Sequence, residues 1–280
     1  EGQGEGQGEG QGEGQGEGQG ELPLVAGVPP HQHQSRFVID RAALLAARPD
    51  VIVLEERCPV CLAAYEGVVD GLATGQGGLE GHAVRLISFA PRRLEDALAS
   101  IVPLATLLGQ PERGQALLKM RSARLLALSM HVARYLVRSA RERPRVALIE
   151  MGVPMRTPGR WVPDLIDAAG GIPVLVEAGD DSAAVLPDAV AEARPEVLLL
   201  AVPDDPQARA AELTGLLAQA PWSNLPARHL GRTWALRFDG LFRHGNPRLV
   251  EGVEVLVRII TPEALGANGT PPAAERALLL

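Results

Sequence analysis

The chain has 280 residues, 46% of them apolar and 22% charged, enough for one large domain or two lobes of ordinary size. Six glutamates in the first 21 residues account for most of its net charge of −7; the other 28 acidic residues face 27 basic ones, a net of −1. That balance, with no basic stripe in the sequence, gives no electrostatic case for nucleic acid, and no run of about 18 apolar residues exists to span a membrane.

Residues 1–20 are five copies of Glu-Gly-Gln-Gly, with nothing to bury, and are expected to be disordered. Their alternating glycines match loose phosphate-loop patterns only trivially, since no strand precedes them and no helix follows. The N-terminus has neither the basic start nor the apolar stretch of a signal peptide. After a Pro-rich lead-in, Leu22 to Gln34, Asp40 is placed to cap a helix through Ala47 that Pro49 ends. Val51 to Leu54 reads as a buried parallel strand. A helix from Leu62 to Leu72, a loop from Gly75 to Gly81, a strand from Val84 to Phe89 and a helix from Leu94 to Leu108 follow. Pro111 can open a long helix limited by Pro144, its apolar positions Leu117, Leu118, Leu125, Leu128, Val132 and Leu136 in helical register.

The second half reads as strand 146–151, helix 162–169 capped by Gly170-Gly171, strand 174–177, helix 188–193 and strand 197–202. Helix 207–217, strand 233–238 and helix 249–260 complete it, with Pro247 and Arg248 starting the last helix. One echo supports two lobes: Ala47-Arg48-Pro49-Asp50-Val51-Ile52-Val53-Leu54 returns as Ala193-Arg194-Pro195-Glu196-Val197-Leu198-Leu199-Leu200. The expected organisation is a repeat tail (1–21), an N-terminal lobe (22–110), a linking helix (111–143), a C-terminal lobe (144–265) and a flexible tail (266–280).

Few residues suggest chemistry. Cys58 and Cys61 form a C-x-x-C at a helix start, where a thiol pKa falls and redox function is conceivable; a local disulfide or two loop thiols are the plain alternatives. Zinc lacks further ligands, because no second cysteine pair exists and the six histidines are single or paired only as His31-x-His33. No Ser-His-Asp order, nucleophile elbow, Walker loop or H-E-x-x-H is present. Trp161 follows the 146–151 strand, on the side where open α/β sheets bind ligands, or else packs within its own lobe. Asp239, Phe242, Arg243 and His244 follow the last strand in the same sense; His244 is a metal candidate or a solvated loop histidine.

Two segments carry a resemblance. Gly159-Arg160-Trp161-Val162-Pro163-Asp164-Leu165-Ile166-Asp167-Ala168-Ala169-Gly170-Gly171 and Phe242-Arg243-His244-Gly245-Asn246-Pro247-Arg248-Leu249-Val250-Glu251-Gly252-Val253-Glu254 resemble the second lobe of the cobalamin-binding-protein-like periplasmic substrate-binding proteins of ABC importers for vitamin B12 and ferric siderophores. The likeness runs from about Phe37 to Pro262 and includes the C-x-V-C segment at Cys58–Cys61. It implies an α/β fold of two Rossmann-like lobes bridged by one long helix, the first lobe incomplete at its N-terminus. The family opens with a signal peptide, a strand and a helix; here the repeat stands in their place, so either the chain is truncated or its start is mis-assigned. Val202-Pro203-Asp204-Asp205 also departs from the family's Gly-containing loop.

The resemblance further implies a monomer that is not an enzyme, needs no cofactor, and works in the periplasm or at the cell surface. Its ligand is cobalamin or a ferric-siderophore-like chelate held between the lobes, with Cys58, Cys61, Met155, Trp161, Asp239, Phe242 and His244 as candidate ligand-binding residues. Glu66 and Asp188 are the nearest counterparts of the acidic residues that dock on the membrane permease; otherwise they are an exposed glutamate and an aspartate favourable to a helix dipole. A thiol-disulfide oxidoreductase using Cys58 and Cys61, or a truncated fragment that binds nothing, are the alternatives.

Overall fold

The structure, a computed structural model, describes residues 40–55, 84–203, 205–242, 245–266 and 277–280. Helix α1 (Arg41–Ala47) begins as expected, with the Asp40 carboxylate accepting from the Ala43 amide at 2.9 Å. Strand β1 (Val51–Glu55) then pairs in parallel with β2 (Arg85–Phe89), from Val51 opposite Arg85 to Glu55 opposite Phe89. Leu54 is buried but Val53 is 48% exposed, so β1 is covered less fully than its apolar run suggests. The expected helix at 62–72 and loop at 75–81 lie outside the described residues.

A single helix was expected from Leu94 to Leu108; the structure has two, α2 (Leu94–Ala99) and α3 (Ile101–Leu107), meeting at Ser100. Pro103 explains the break. It has no N–H for the Ala99 carbonyl, and its ring would strike that carbonyl in a continuous helix. Gly109, at φ 71°, makes the tight turn that folds α3 back on α4 (Pro111–Ser139).

Helix α4 is unbroken over 29 residues, roughly 44 Å. It stops at Ser139 rather than Arg143, because the chain must reverse before the next strand. Ala140 takes a left-handed φ of 48° and the Arg141 amide donates to the Leu136 carbonyl at 3.3 Å.

The second sheet is built on β3 (Arg145–Glu150), β7 (Val197–Val202) and β8 (Thr233–Arg237), which run parallel. At the far edge of β3, β5 (Ile172–Pro173) pairs in parallel with its start. β4 (Arg156–Thr157) pairs antiparallel with its end and carries β6 (Ala183–Ala184) outside it. The strand expected at 174–177 is therefore a two-residue pairing just upstream. Residues 277–279, expected in a flexible tail, instead form β9 (Ala277–Leu279), antiparallel to β8. Its apolar Ala-Leu-Leu sits where the β8 edge offers unpaired backbone groups.

Side chains of the central strands alternate between two cores. Val146 and Leu148 with Val197, Leu199 and Ala201 face one; Ala147 and Ile149 with Leu198, Leu200 and Val202 face the other. The first is covered by α5 (Val162–Ala168), α9 (Leu249–Ile260), Val132 of α4, and Leu94, Ala97, Leu98 and Ile101 of α2 and α3. The second lies under α6 (Pro187–Glu192), α7 (Pro206–Leu217), Trp222, Leu225 and Ala227 of α8 (Pro226–His229). Burial on both faces explains why β7 is apolar throughout.

The sequence echo has a backbone counterpart. Arg48 and Arg194 each end a helix in the left-handed region, both at φ 44°. Each precedes a proline, which disfavours the right-handed helical conformation, and each leads into a strand.

Candidate functional site

Ligands of open α/β sheets bind beyond the carboxyl ends of the strands. Here the segment just after β2 is bonded to the larger lobe at the start of α5 and at residues 179–181. Arg92 Nε donates to the Gly179 carbonyl at 2.8 Å, and its guanidinium lies 3.6 Å from Asp181. Arg93 reaches Asp164 in the first turn of α5, with Nε 3.0 Å from Oδ2 and a terminal nitrogen 2.8 Å from Oδ1. The Leu94 amide donates to the same carboxylate at 2.9 Å. Hydrogen bonding to Asp164, then its charge, holds the Arg93 guanidinium further toward its charged form. Asp164 lies within one of the two segments that carry the resemblance, but nothing in sequence spacing ties it to Arg93, 71 positions earlier.

The loop after β3 is pinned at its far end. Gly159 is buried, its amide bonded to Ser182 Oγ at 3.1 Å and its α-carbon set against the backbone of Asp180 and Asp181. Arg160, at φ 55°, donates to Asp181 at 3.2 Å. Between these anchors and β3, Val153 is fully exposed, while Met155 is half-buried against the second core.

Two expected ligand contacts point elsewhere. Trp161 is 3% exposed and its indole N–H donates to the Phe242 carbonyl at 2.8 Å. Phe242 is 1% exposed and stacks on Phe238, ring centres 5.8 Å apart. Both belong to the first core and tie the 238–242 turn to α5, so they offer no free apolar face. An indole can bury its ring only if its N–H finds an acceptor, and the turn supplies one. Asp239 shapes the same turn: Oδ1 accepts from the Leu241 amide at 3.0 Å, and Oδ2 lies 3.5 Å from Arg237 Nε. Asp188 is exposed in the first turn of α6. Cys58, Cys61, Glu66 and His244 lie outside the described residues. Among the described residues no group of three His, Cys, Asp or Glu is placed to hold a metal ion, and no helix is long and apolar enough to cross a membrane.

No family model and no curated protein sequence matches the chain. Solved structures do. The periplasmic heme binding protein of Pseudomonas aeruginosa is 23% identical, covering 79% of this chain and 75% of its own, with a TM-score of 0.60. This chain has the fold of the periplasmic solute-binding proteins. The periplasmic vitamin B12 binding protein of Vibrio cholerae is 19% identical over 81% of this chain and 80% of its own, TM-score 0.58. A possible iron-binding, periplasmic solute-binding protein of Staphylococcus epidermidis is 14% identical over 80% of both chains, TM-score 0.62. The shared architecture is the α/β pair of lobes bridged by one long helix.

Proposed function

We propose that this protein is a non-enzymatic capture component of an importer, working in the periplasm or at the cell surface. It binds a corrinoid or related metal chelate between its lobes and presents it to a membrane permease. One observation carries the reading. Arg92 and Arg93, three and four residues beyond β2, are bonded to the 179–181 loop and to Asp164. On this reading the contact sets the carboxyl ends of both parallel sheets toward a common region, as a ligand cleft requires. The kinds of ligand named for the structures of like fold, heme, vitamin B12 and iron, are consistent with a metal chelate.

On this reading the exposed Val153 and the half-buried Met155 supply the apolar lip of the larger lobe, and Asp239 a polar contact. Cys58, Cys61 and His244, which follow β1 and β8 in sequence, remain candidates for the rest of the lining. Glu66 and the exposed Asp188 are the permease contacts.

Calorimetric titration of the full chain with cyanocobalamin, hemin and a ferric siderophore tests the proposal. Saturable binding of one of them is the expected result. No heat from a folded protein with any of the three overturns it, as does robust disulfide reductase activity that vanishes in Cys58→Ser/Cys61→Ser. Asp188→Ala should leave ligand binding unchanged and weaken delivery to the permease.

A further inference from the structure

Helix α4 has a face that the other described residues leave uncovered. Leu126, Met130 and Val137 are 61%, 44% and 81% exposed, with Ala123 and Ala133 exposed on the same side. At 100° per residue these five positions fall within an arc of about 80°, a single stripe along the helix. From Leu126 to Val137 it extends roughly 16 Å.

Beyond Glu112 in its first turn, the charge on this helix has one sign. From Gly114 to Ala140 the chain contains no carboxylate but has Lys119, Arg121, Arg124, Arg134 and Arg138. Arg121 and Arg124 are paired with Glu251 and Glu254 of α9, at 3.1 and 2.6 Å. Lys119, Arg134 and Arg138 have no ion-pair partner among the described residues. The near balance of charge in the whole sequence conceals this asymmetry, and α9 sharpens it by neutralising one side of α4.

Arg134 and Arg138 lie one turn apart beside the apolar stripe. With His131, Tyr135, Ser139 and Ala264 they line an open groove of about 400 Å³. His131 Nε2 meets the Ala264 carbonyl at 2.5 Å, which fixes the groove against the 262–265 turn. Stripe, arginines and groove therefore run side by side along one surface.

We infer that this face of α4 docks flat on an anionic lipid surface. Leu126, Met130 and Val137 enter the boundary between headgroups and acyl chains, and Arg134 and Arg138 hold lipid phosphates at the groove. Charge and polarity select this partner. A second copy related by two-fold symmetry would set unpaired arginines near unpaired arginines. Nucleic acid would suit the arginines but leave the apolar stripe uncovered. A free phosphate would use the groove and ignore the stripe. Only an amphiphilic anionic surface satisfies both. The inference is independent of the ligand proposed above, and a failed cobalamin titration leaves it standing.

The test is co-flotation of the full chain with vesicles of phosphatidylcholine, alone or with about a third phosphatidylglycerol. The protein should float with the anionic vesicles only and be released by high salt. Arg134→Gln/Arg138→Gln should lower partitioning roughly thirtyfold, and Leu126→Ser/Val137→Ser about tenfold. Arg134→Lys/Arg138→Lys should retain most binding. Far-UV circular dichroism should match the parent in each case, since all four positions are exposed. Absence of binding, equal binding to neutral vesicles, or binding unchanged by both double variants overturns the inference. So does a dimer in sedimentation equilibrium that Leu126→Ser/Val137→Ser dissociates, or binding to duplex DNA or inorganic phosphate without binding to vesicles.

Discussion

Trp161→Phe separates a core tryptophan from a ligand-binding one. In the structure the indole is buried and its N–H donates to the Phe242 carbonyl at 2.8 Å, also in the core. Phenylalanine removes that donor and leaves the carbonyl without this bond, a cost of about 1–3 kcal/mol. The smaller ring also leaves a void, which adds a fraction of the 3–5 kcal/mol typical of complete aromatic truncation. Together the expected loss is about 2–4 kcal/mol. With a urea m-value of about 3 kcal/mol/M, the unfolding midpoint should fall by roughly 1 M. Affinity for whichever chelate the parent protein binds should change less than about threefold in the folded variant, because the indole faces the core. Urea unfolding followed by circular dichroism, and calorimetry at low denaturant, give the two numbers. An unchanged midpoint with a large loss of affinity would refute this placement of Trp161 and restore it to the cleft.

Gly159→Ala tests the loop anchor: the added Cβ would meet the Asp180 carbonyl and lie 2.9 Å from the Asp181 oxygen, both backbone atoms. Thermal unfolding should register a loss of about 1–3 kcal/mol, whereas Gly215→Ala, with open space around it and a helical setting, should stabilise slightly. Glu251 is pushed up by burial but pulled further down by hydrogen bonds from Arg248 at 3.0 Å and Arg121 at 3.1 Å, so it sits below its ordinary value of 4.5. A depressed carboxylate contributes stability above about pH 4.5 that is lost as pH falls through its lower folded value; urea midpoints from pH 7 to pH 3 should fall less steeply in Glu251→Gln. Arg194→Gly relieves a left-handed arginine and should shift stability by no more than about 1 kcal/mol, in the favourable direction, as should Arg48→Gly at the equivalent turn. A loss at one site and a gain at the other, measured by urea unfolding, would break the structural equivalence of the two.

The elements most legible in the sequence are those whose apolar pattern and punctuation agree. β7 and α9 have the expected bounds, and α1 starts where Asp40 offers a cap. Short pairings at sheet edges were not legible. β4, β6 and β9 owe their strand geometry to a neighbour's unpaired backbone, and two or three residues carry no periodicity. The break at Ser100 is hidden because the apolar pattern runs on across it, whereas Pro103 ends one helix and starts the next. The side of the sheet on which Trp161 lies was correctly expected, at the N-terminal end of α5 beyond β3. Its direction stays open between the cleft and its own lobe in the sequence, since that depends on a carbonyl 81 residues later. The Arg93–Asp164 clamp has the same character: both residue types are common, and only the fold makes them neighbours.

If the proposed function holds, the packing of Leu94, Ala97, Leu98 and Ile101 into the core beneath the larger sheet, together with Val132 of α4, bears on how a captured ligand would leave. A segment that joins lobes by contributing to a common core is not a free hinge, for swivelling would tear apolar surface from its partners. The angle between lobes is then inherited from folding. Capture requires little ordering, so encounter is inexpensive in entropy. Under that function, release would not rely on the lobes spontaneously swinging wide, and the work of prising them apart would fall to the proposed permease.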